Sequence, residues 1–196
     1  MKNALEIAKQ YCEEGLYPIP VLYKEKIPAV KKWQNLKVTP DNAEQYFNGK
    51  ETNIGILLGD GLIDIDIDDE RLLGLAKYIL PPSGLVFGRA SKRSSHYLYK
   101  SDHQETKKYT FGKKTLIEIR SKGCQTVVPP STHTEGEIIT WERHESLTKT
   151  SSEQITQCVG LLAFTSIILN FYKSVSGERN DVCDAITGVL LRAGFG

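Results

Sequence analysis

The sequence predicts a mixed α/β fold, with a sheet-rich unit over residues 1–150 and a helical appendage over residues 151–196. Three observations predict it. Residues 61–69 alternate isoleucine with aspartate, which is the period of a β-strand. Further short apolar runs before residue 150 are bounded by glycine, proline and other turn residues. After residue 151 the apolar spacing becomes that of helices, over residues 155–172 and 181–192.

The first quarter of the chain begins with a predicted helix over residues 3–14, because its apolar residues form one stripe and a glycine follows. Residues 17–23 are strand-like, and their two prolines favour an edge position. Residues 24–37 form a basic loop around Trp33. A Thr-Pro-Asp sequence predicts a short helix over residues 39–47.

The middle of the chain alternates predicted strands with one helix. Residues 53–68 are expected to form a hairpin that turns at Gly-Asp-Gly. A helix over residues 71–80 stops before two prolines. Strands over residues 85–88 and 96–100 flank a polar loop over residues 89–95.

The last predicted strands lie between residues 115 and 141. Apolar and polar residues alternate over residues 115–120, and residues 125–128 are strand-like. The Lys-Gly pair between the two segments predicts a second hairpin. A further short strand is expected over residues 138–141.

Composition excludes several classes of protein. The 196 residues carry a net charge of +1, so a polyanionic partner has to be bound by local patches. The four cysteines are far apart and form no Cys-x-x-Cys pair, which excludes a zinc knuckle or a redox dithiol. Residues 1–10 are charged and amphipathic, unlike a signal peptide, and the most apolar run, residues 158–172, is shorter than a membrane span. We expect a cytoplasmic protein that is not bound to a membrane.

The strand over residues 61–69 is the most informative segment. Its alternation places Asp64, Asp66 and Asp68 on one face and the isoleucines on the other. Carboxylates this close resist ionising together unless a cation lies between them, and oxygen ligands suit Mg²⁺ or Mn²⁺. An EF-hand is excluded, because Asp69 stands where that loop needs glycine and Leu75 where it needs glutamate. A solvated acidic face is the alternative.

Three further groups can carry chemistry. Glu118 alternates with isoleucines, so it can join the aspartates as a ligand or form a surface pair with Arg120. His96 follows Arg89 and Lys92, and together they can bind a triphosphate, or else form a solvated basic loop. A Pro-Pro turn precedes Ser131 and His133, which can contact phosphate or ribose, or belong to a structural turn.

In their order and spacing along the chain, these four elements resemble the N-terminal bifunctional primase–polymerase domain of plasmid and viral replication proteins, of the archaeo-eukaryotic primase superfamily. The Asp-x-Asp motif of that family is matched by Asp66 and Asp68, its Ser-x-His motif by Ser94 and His96, and its later acidic residue by Glu118.

Two departures from the family pattern stand out. Asp64 is an additional acid, which leaves open whether the metal-binding pair is Asp66 with Asp68 or Asp64 with Asp66. The chain also has no insertion rich in cysteine and histidine, so the zinc-bearing element of some relatives is not expected.

The resemblance implies an antiparallel catalytic sheet similar to an RNA-recognition motif, joined to an N-terminal α/β unit and followed by the start of a helical bundle. It implies template-directed nucleotidyl transfer to a 3′-hydroxyl, with a helicase domain downstream in a longer replication protein. The catalytic and metal-binding residues for Mg²⁺ or Mn²⁺ would be Asp66, Asp68 and Glu118. The residues binding the nucleoside triphosphate would be His96, Ser94, Arg89, Lys92 and Arg120. The basic loop over residues 24–37 could follow the single-stranded DNA template.

Two other functions share these features. A replication-initiator module could bind single-stranded DNA without catalysis. A metal-dependent nuclease could use the same carboxylates to cut phosphodiesters.

Overall fold

A computed structural model describes residues 3–48 and 51–174, together with the single positions 184, 187, 188 and 192. The described helices are α1 (Ala4–Glu13), α2 (Leu73–Ile79) and α3 (Ser152–Ser174). The described strands are β1 (Pro18–Leu22), β2 (Thr52–Leu57), β3 (Leu62–Ile67), β4 (Leu85–Arg89), β5 (Lys92–Ser101), β6 (Lys107–Phe111), β7 (Lys114–Arg120), β8 (Gln125–Val128), β9 (Ile139–His144) and β10 (Lys149–Thr150). The predicted mixed α/β fold is confirmed. The predicted helix over residues 181–192 lies outside the described residues except at those four positions.

The larger sheet has the strand order β6-β7-β3-β5-β4-β9, with β10 paired to the far end of β5. Its six main strands pair antiparallel. Ile63, Ile65 and Ile67 are fully buried on one face, where α2 and α3 pack against them. Burying each such side chain stabilises the fold by roughly 1.5–3 kcal/mol, so the alternation in β3 fixes which face of the sheet is covered by helices.

The smaller sheet has the order β1-β2-β8, with β1 at an edge as its prolines predicted. Helix α1 packs beside it and starts with a capping box in which Asn3 and Glu6 each accept the backbone N–H of the other. A second core joins this sheet and α1 to the face of the larger sheet opposite the isoleucines.

Both predicted hairpins are wrong, although both turns exist. β2 pairs with β1 and β8 in the smaller sheet, whereas β3 pairs with β5 and β7 in the larger one. β7 and β8 are divided between the sheets in the same way. The chain crosses between the sheets at Gly59–Gly61, at Lys122–Gly123 and again between β8 and β9. The first two crossings lie together, because the backbone N–H of Leu58 donates a hydrogen bond to the carbonyl of Cys124. This arrangement opens a cleft between the sheets.

Three local predictions also differ from the structure. The polar loop over residues 89–95 is mostly strand, because β5 begins at Lys92. The short helix over residues 39–47 is reduced to one 3₁₀ turn at Ala43–Gln45. The edge strand β6 was not predicted, since its lysines and aromatic residues give no apolar run.

Helix α3 is anchored to the larger sheet. Its segment Ser152–Asn170 has a mean hydropathy of 1.2 and is long enough to cross a membrane, a test that core helices of globular domains also meet. In this chain Ile155 and Val159 are fully buried against the sheet. Farther along α3, Ser166 donates a hydrogen bond to Asp69, directly after the acidic strand. The domain boundary near residue 150 stays a prediction.

Candidate active site

The acidic face of β3 points into the cleft. Asp64 and Asp66 lie on the face opposite the buried isoleucines, as the alternation predicts, and Asp68 follows at the strand end. The exposure of these side chains rises along the strand, from 0% for Asp64 to 18% for Asp66 and 39% for Asp68. The second core covers the start of β3 and leaves its end open, so only Asp66 and Asp68 reach the cleft.

Neighbouring strands place the other predicted residues beside these aspartates. Asp66 is directly opposite His96 on β5 and Glu118 on β7. Asp64 is opposite Arg120. Directly opposed side chains share one face of a sheet. These residues, which lie up to 56 positions apart in the sequence, are therefore neighbours on one face of three adjacent strands.

Asp64 orients the histidine. One of its carboxylate oxygens lies 2.9 Å from His96 Nδ1, and the other ring nitrogen, Nε2, lies 3.7 Å from Asp66. The His96 ring also stacks on Phe87, with 4.6 Å between ring centroids and 4° between planes. These contacts fix the imidazole on both sides and direct Nε2 toward the cleft.

Neighbouring charges shift the pKa values of Asp64 and His96 more than burial does. Burial alone would raise the pKa of Asp64, but His96 and Arg120 outweigh it and the pKa is lowered. Burial alone would lower the pKa of His96, but Asp66 and Asp64 outweigh it and the pKa is raised. Arg120, whose Nη1 lies 3.5 Å from Asp66 and 3.8 Å from Asp64, also stays protonated because the pKa of its guanidinium is raised by these carboxylates despite burial. The site thus favours an ionised Asp64 beside a protonated His96 and a protonated Arg120.

A cavity of about 220 Å³ opens in front of these groups. From the larger sheet it is lined by Asp66, Asp68, Arg89, Lys92, Ser95, His96 and Arg120. From the smaller sheet and its loops it is lined by Lys26, Gln125, Thr126, Val127 and His133. The cavity therefore lies between the two sheets, and two aspartates share its lining with four lysine or arginine side chains and two histidines.

The predicted carboxylates each contact a basic side chain. Asp68 lies 3.4 Å from the Lys92 ammonium, and Glu118 lies 3.3 Å from that of Lys108. Asp66 is near Arg120, as described above. Glu118 is not in the cavity lining, although it directly neighbours Asp66 on the next strand. These contacts compensate the negative charge that the acidic strand brings together.

Arg89 and Ser94 are less available than the sequence suggested. The Arg89 guanidinium lines the cavity but donates hydrogen bonds to Glu137, at 2.6 Å, and to Glu135. Ser94 is absent from the cavity lining, whereas its neighbour Ser95 belongs to it. The cause is an irregularity in the pairing of β4 with β5, where Ser94 adopts a left-handed backbone conformation with φ of 53°.

Gly88 makes this irregularity feasible. A Cβ atom at that position would lie 2.4 Å from the backbone oxygen of Lys92, inside van der Waals contact. The two strands approach each other there more closely than any side chain allows. Gly88 thereby sets the positions of Lys92 and Ser95 at the cavity.

Ser131 and His133, which follow the Pro-Pro turn, have different roles. The Ser131 hydroxyl is buried, accepts the backbone N–H of Ile54 and donates to its carbonyl, so it holds the loop to β2. His133 lines the cavity, and burial together with Arg89 and Lys26 lowers its pKa. The sequence did not single out Lys26 or Gln125 as cavity residues, because their placement depends on how the smaller sheet faces the larger one.

The donor chemistry fits a divalent cation, but the described side chains are not arranged as a closed metal site. Within residues 3–48 and 51–174, no group of three or more histidine, cysteine, aspartate or glutamate side chains is positioned to hold a metal ion. Asp66, Asp68 and Glu118 nevertheless offer only carboxylate oxygens, the ligands that Mg²⁺ and Mn²⁺ prefer. Lysine and arginine side chains contact those oxygens in this structure.

Comparison with known proteins identifies the family of the chain. The family model described as "Bifunctional DNA primase/polymerase, N-terminal" matches residues 8–158, which include every residue of the site. No curated protein matches the sequence significantly. Since the matched segment covers more than half of its length, the chain belongs to the family of bifunctional DNA primase/polymerase N-terminal domains.

Proposed function

We propose that this chain is a template-directed DNA primase/polymerase that transfers nucleotides to a 3′-hydroxyl. The observation that carries the proposal is the cavity in which Asp66 and Asp68 face His96, Lys92 and Arg120. Carboxylates beside a cationic pocket are the arrangement expected for a nucleotide held with a divalent cation. Family membership supports DNA and nucleotides as substrates.

Asp66, Asp68 and Glu118 would hold the divalent ions, Mg²⁺ or Mn²⁺. Members of this family generally use divalent metals. When bound, such ions activate the attacking hydroxyl and stabilise the charge of the departing pyrophosphate. The chain supplies the carboxylate oxygens, and the extended backbone of β3 and β7 holds Asp66 and Glu118 side by side.

His96, Lys92 and Arg120 would bind the triphosphate. A raised pKa favours the protonated imidazole, whose Nδ1–H is donated to Asp64 and whose Nε2–H is then free to donate to a phosphate oxygen. Because two glutamates bind the Arg89 guanidinium, Lys92 and Arg120 would supply more of the positive charge than Arg89. Ser95, and not Ser94, faces the cavity in this structure. Binding of the nucleotide by Ser94 therefore requires a movement of β5 at the irregular pairing with β4.

The basic loop over residues 24–37 is proposed to follow the single-stranded template. Lys26 lines the cavity, and the carbonyl of Lys26 accepts a hydrogen bond from Gln125. The loop therefore borders the site from the side of the smaller sheet. A plasmid or viral replication system and a downstream helicase domain belong to the same proposal and derive from the family resemblance. A cytoplasmic location is also proposed, and it derives from the four dispersed cysteines.

Primer extension tests the proposed activity. Asp66→Asn, Asp68→Asn and Glu118→Gln keep side-chain shape and remove charge, so each should lower synthesis more than about a hundredfold while the protein stays folded. Asp60→Asn is the matched control. Asp60 is exposed in the turn before β3, with φ of 50°, a conformation that asparagine tolerates. Full synthesis by the Asp66 and Asp68 variants would refute the site.

Two further assays separate the other functions. Labelled single-stranded DNA is incubated with Mn²⁺ and no nucleotides, and shortening of the strand would indicate a nuclease. DNA binding without incorporation of labelled nucleotides, by the wild-type protein with either metal, would indicate a non-catalytic binding module. Extension in the presence of ribo- or deoxynucleotides is the result expected here.

A further inference from the structure

The outer edge of the larger sheet carries a strongly basic hairpin. Residues 107–114, here called the lysine hairpin, read Lys-Lys-Tyr-Thr-Phe-Gly-Lys-Lys and contain four lysines and no acid. They form β6, the turn at Gly112 and the first residue of β7. All four lysines are exposed, and Phe111 is 42% exposed. Within the described residues, no strand pairs with the outer side of β6.

The lysine hairpin lies beside the proposed catalytic carboxylates. Lys108 is directly opposite Glu118, which is directly opposite Asp66, so the three form one row across adjacent strands. Strands lie about 4.8 Å apart, which places the backbone of β6 roughly 10 Å from that of β3. The tip of the lysine hairpin also extends past the end of β3. Asp68, at that end, donates its backbone N–H to the carbonyl of Leu116, and the hairpin lies beyond this residue.

The chemistry of the lysine hairpin suits a polyanion with flat bases. Lysine ammonium groups pair with phosphates and release counterions, and exposed aromatic rings stack on unpaired bases. The neighbouring carboxylates would repel an anion, but Lys108 already compensates Glu118 at 3.3 Å. Lys107, Lys113 and Lys114 have no ion-pair contact among the described residues. Lys107 lies opposite Ile119, not in the row of Asp66, and its ammonium is 5.0 Å from the centroid of the Tyr109 ring, a contact that does not neutralise its charge. The charge of these three lysines is therefore available to a partner.

We propose that the lysine hairpin binds the phosphate backbone of single-stranded DNA and leads that strand to the cavity. The choice of DNA rests on the proposed function, whereas the polyanion site rests on the charge and position of the hairpin. With the basic loop over residues 24–37 on the opposite sheet, the hairpin gives the cleft two basic borders. A strand crossing the cleft would pass Asp66 and Asp68 between them.

A binding assay without synthesis tests this surface. The affinity for a fluorescein-labelled oligothymidylate of about 20 nucleotides is measured by fluorescence anisotropy, with EDTA and without nucleotides, over a series of salt concentrations. The triple variant Lys107→Gln, Lys113→Gln, Lys114→Gln should bind at least about tenfold more weakly. The slope of log affinity against log salt should become shallower by about 2, or roughly 0.7 for each lost phosphate contact.

A charge-matched triple variant is the control. Lys77, Lys100 and Lys149 are exposed, Lys77 on α2 and the other two beside each other where β10 pairs with the far end of β5. Changing them to glutamine alters net charge equally and should leave affinity within about twofold. Thermal melts establish that both triple variants are folded, and Phe111→Ala provides a separate variant that should lose roughly tenfold in affinity through stacking.

The outcomes are distinct. Equal affinities and salt slopes for the two triple variants would overturn the proposal, as would the absence of DNA binding by the wild-type protein. Loss of solubility with unchanged DNA affinity would overturn it too, and would mean that the lysines only protect an exposed sheet edge. Because the assay requires no synthesis, a wild-type protein that binds through the hairpin but extends no primer would refute the proposed function alone.

Discussion

Replacing Asp64 with asparagine separates a structural aspartate from a proposed metal-binding one. Asp64 is fully buried, 2.9 Å from His96 Nδ1 and 3.8 Å from the Arg120 guanidinium. Asparagine keeps the volume but removes the negative charge that these two cations face. Asp68 offers the comparison, since it is 39% exposed and lies 3.4 Å from Lys92.

The magnitudes follow from burial. Removing one partner of a buried ion pair costs about 3–5 kcal/mol. The lower figure applies to Asp64→Asn, because Asp66 still lies 3.7 Å from His96 and 3.5 Å from Arg120. For a chain of 196 residues, about 3 kcal/mol lowers the melting temperature by roughly 6–12 °C. Asp68 and Lys92 lie 3.4 Å apart at a partly exposed position, so this pair contributes about 1 kcal/mol. Asp68→Asn should therefore shift the melting temperature by only about 2–4 °C.

The assay combines unfolding in urea with nucleotide incorporation. Incorporation is measured well below both midpoints, so that each variant is folded. We expect Asp64→Asn to be clearly less stable yet to keep some synthesis, and Asp68→Asn to be nearly as stable as wild type and inactive. An Asp64→Asn protein of unchanged stability without synthesis, beside an active Asp68→Asn protein, would refute this assignment and identify Asp64 with Asp66 as the metal-binding pair.

The remaining predictions concern stability at three other positions. Asp69→Asn should destabilise the fold by about 2 kcal/mol at neutral pH, because Asp69 is buried and binds Arg71 through charge-assisted hydrogen bonds. Those bonds lower the pKa of Asp69, so the difference from wild type in urea unfolding should be full above about pH 4 and shrink as the pH falls further; a difference that grows with acidity would contradict it. Gly88→Ala should cost about 1–3 kcal/mol because its Cβ would meet the Lys92 carbonyl. Gly160→Ala, in helix α3 with open space around it, should instead stabilise the fold by about 0.5–1 kcal/mol, also measured by unfolding in urea. Equal effects of the two alanine substitutions would refute the close contact between Gly88 and the Lys92 carbonyl.

The sequence predicted the local direction of side chains well. Alternation in β3 and β7 depends only on the two-residue period of a strand, so it placed Asp66 and Glu118 away from the isoleucine core without knowledge of any neighbour. The family resemblance then supplied the expectation that these carboxylates and His96 meet. The register of β3 with β5 and β7 places the three side by side.

Strand pairing was beyond the local pattern. A glycine turn indicates that the chain changes direction, but it does not tell whether the two flanking strands hydrogen-bond to each other. β2 is buried over Asn53–Ile56 on both faces, and its partners β1 and β8 lie far away in sequence. Pairing at such separations depends on long-range packing, which short motifs do not encode.

The ambiguity between Asp64 and Asp68 had the same origin. All three aspartates share one face by period, and nothing in that period states how deeply each lies beneath the smaller sheet. The second core includes Leu62 and Leu98, which cover the beginning of β3, so burial decreases toward Asp68. Depth along the strand, set by the other sheet, distinguishes an acid that holds His96 from acids that reach the cavity.

The pairing of acids with bases explains how this face can fold at all. Four carboxylates on two adjacent strands would repel strongly if each were uncompensated. Here His96 and Arg120 contact Asp64 and Asp66, while lysines contact Asp68 and Glu118. In the proposed reaction, Asp66, Asp68 and Glu118 would hold divalent ions that supply the compensating charge. Lys92 and Arg120, which contact Asp68 and Asp66 in this structure, would then be able to bind phosphate oxygens. Asp64 would not exchange its partners in this way, because it is fully buried and holds His96 in place.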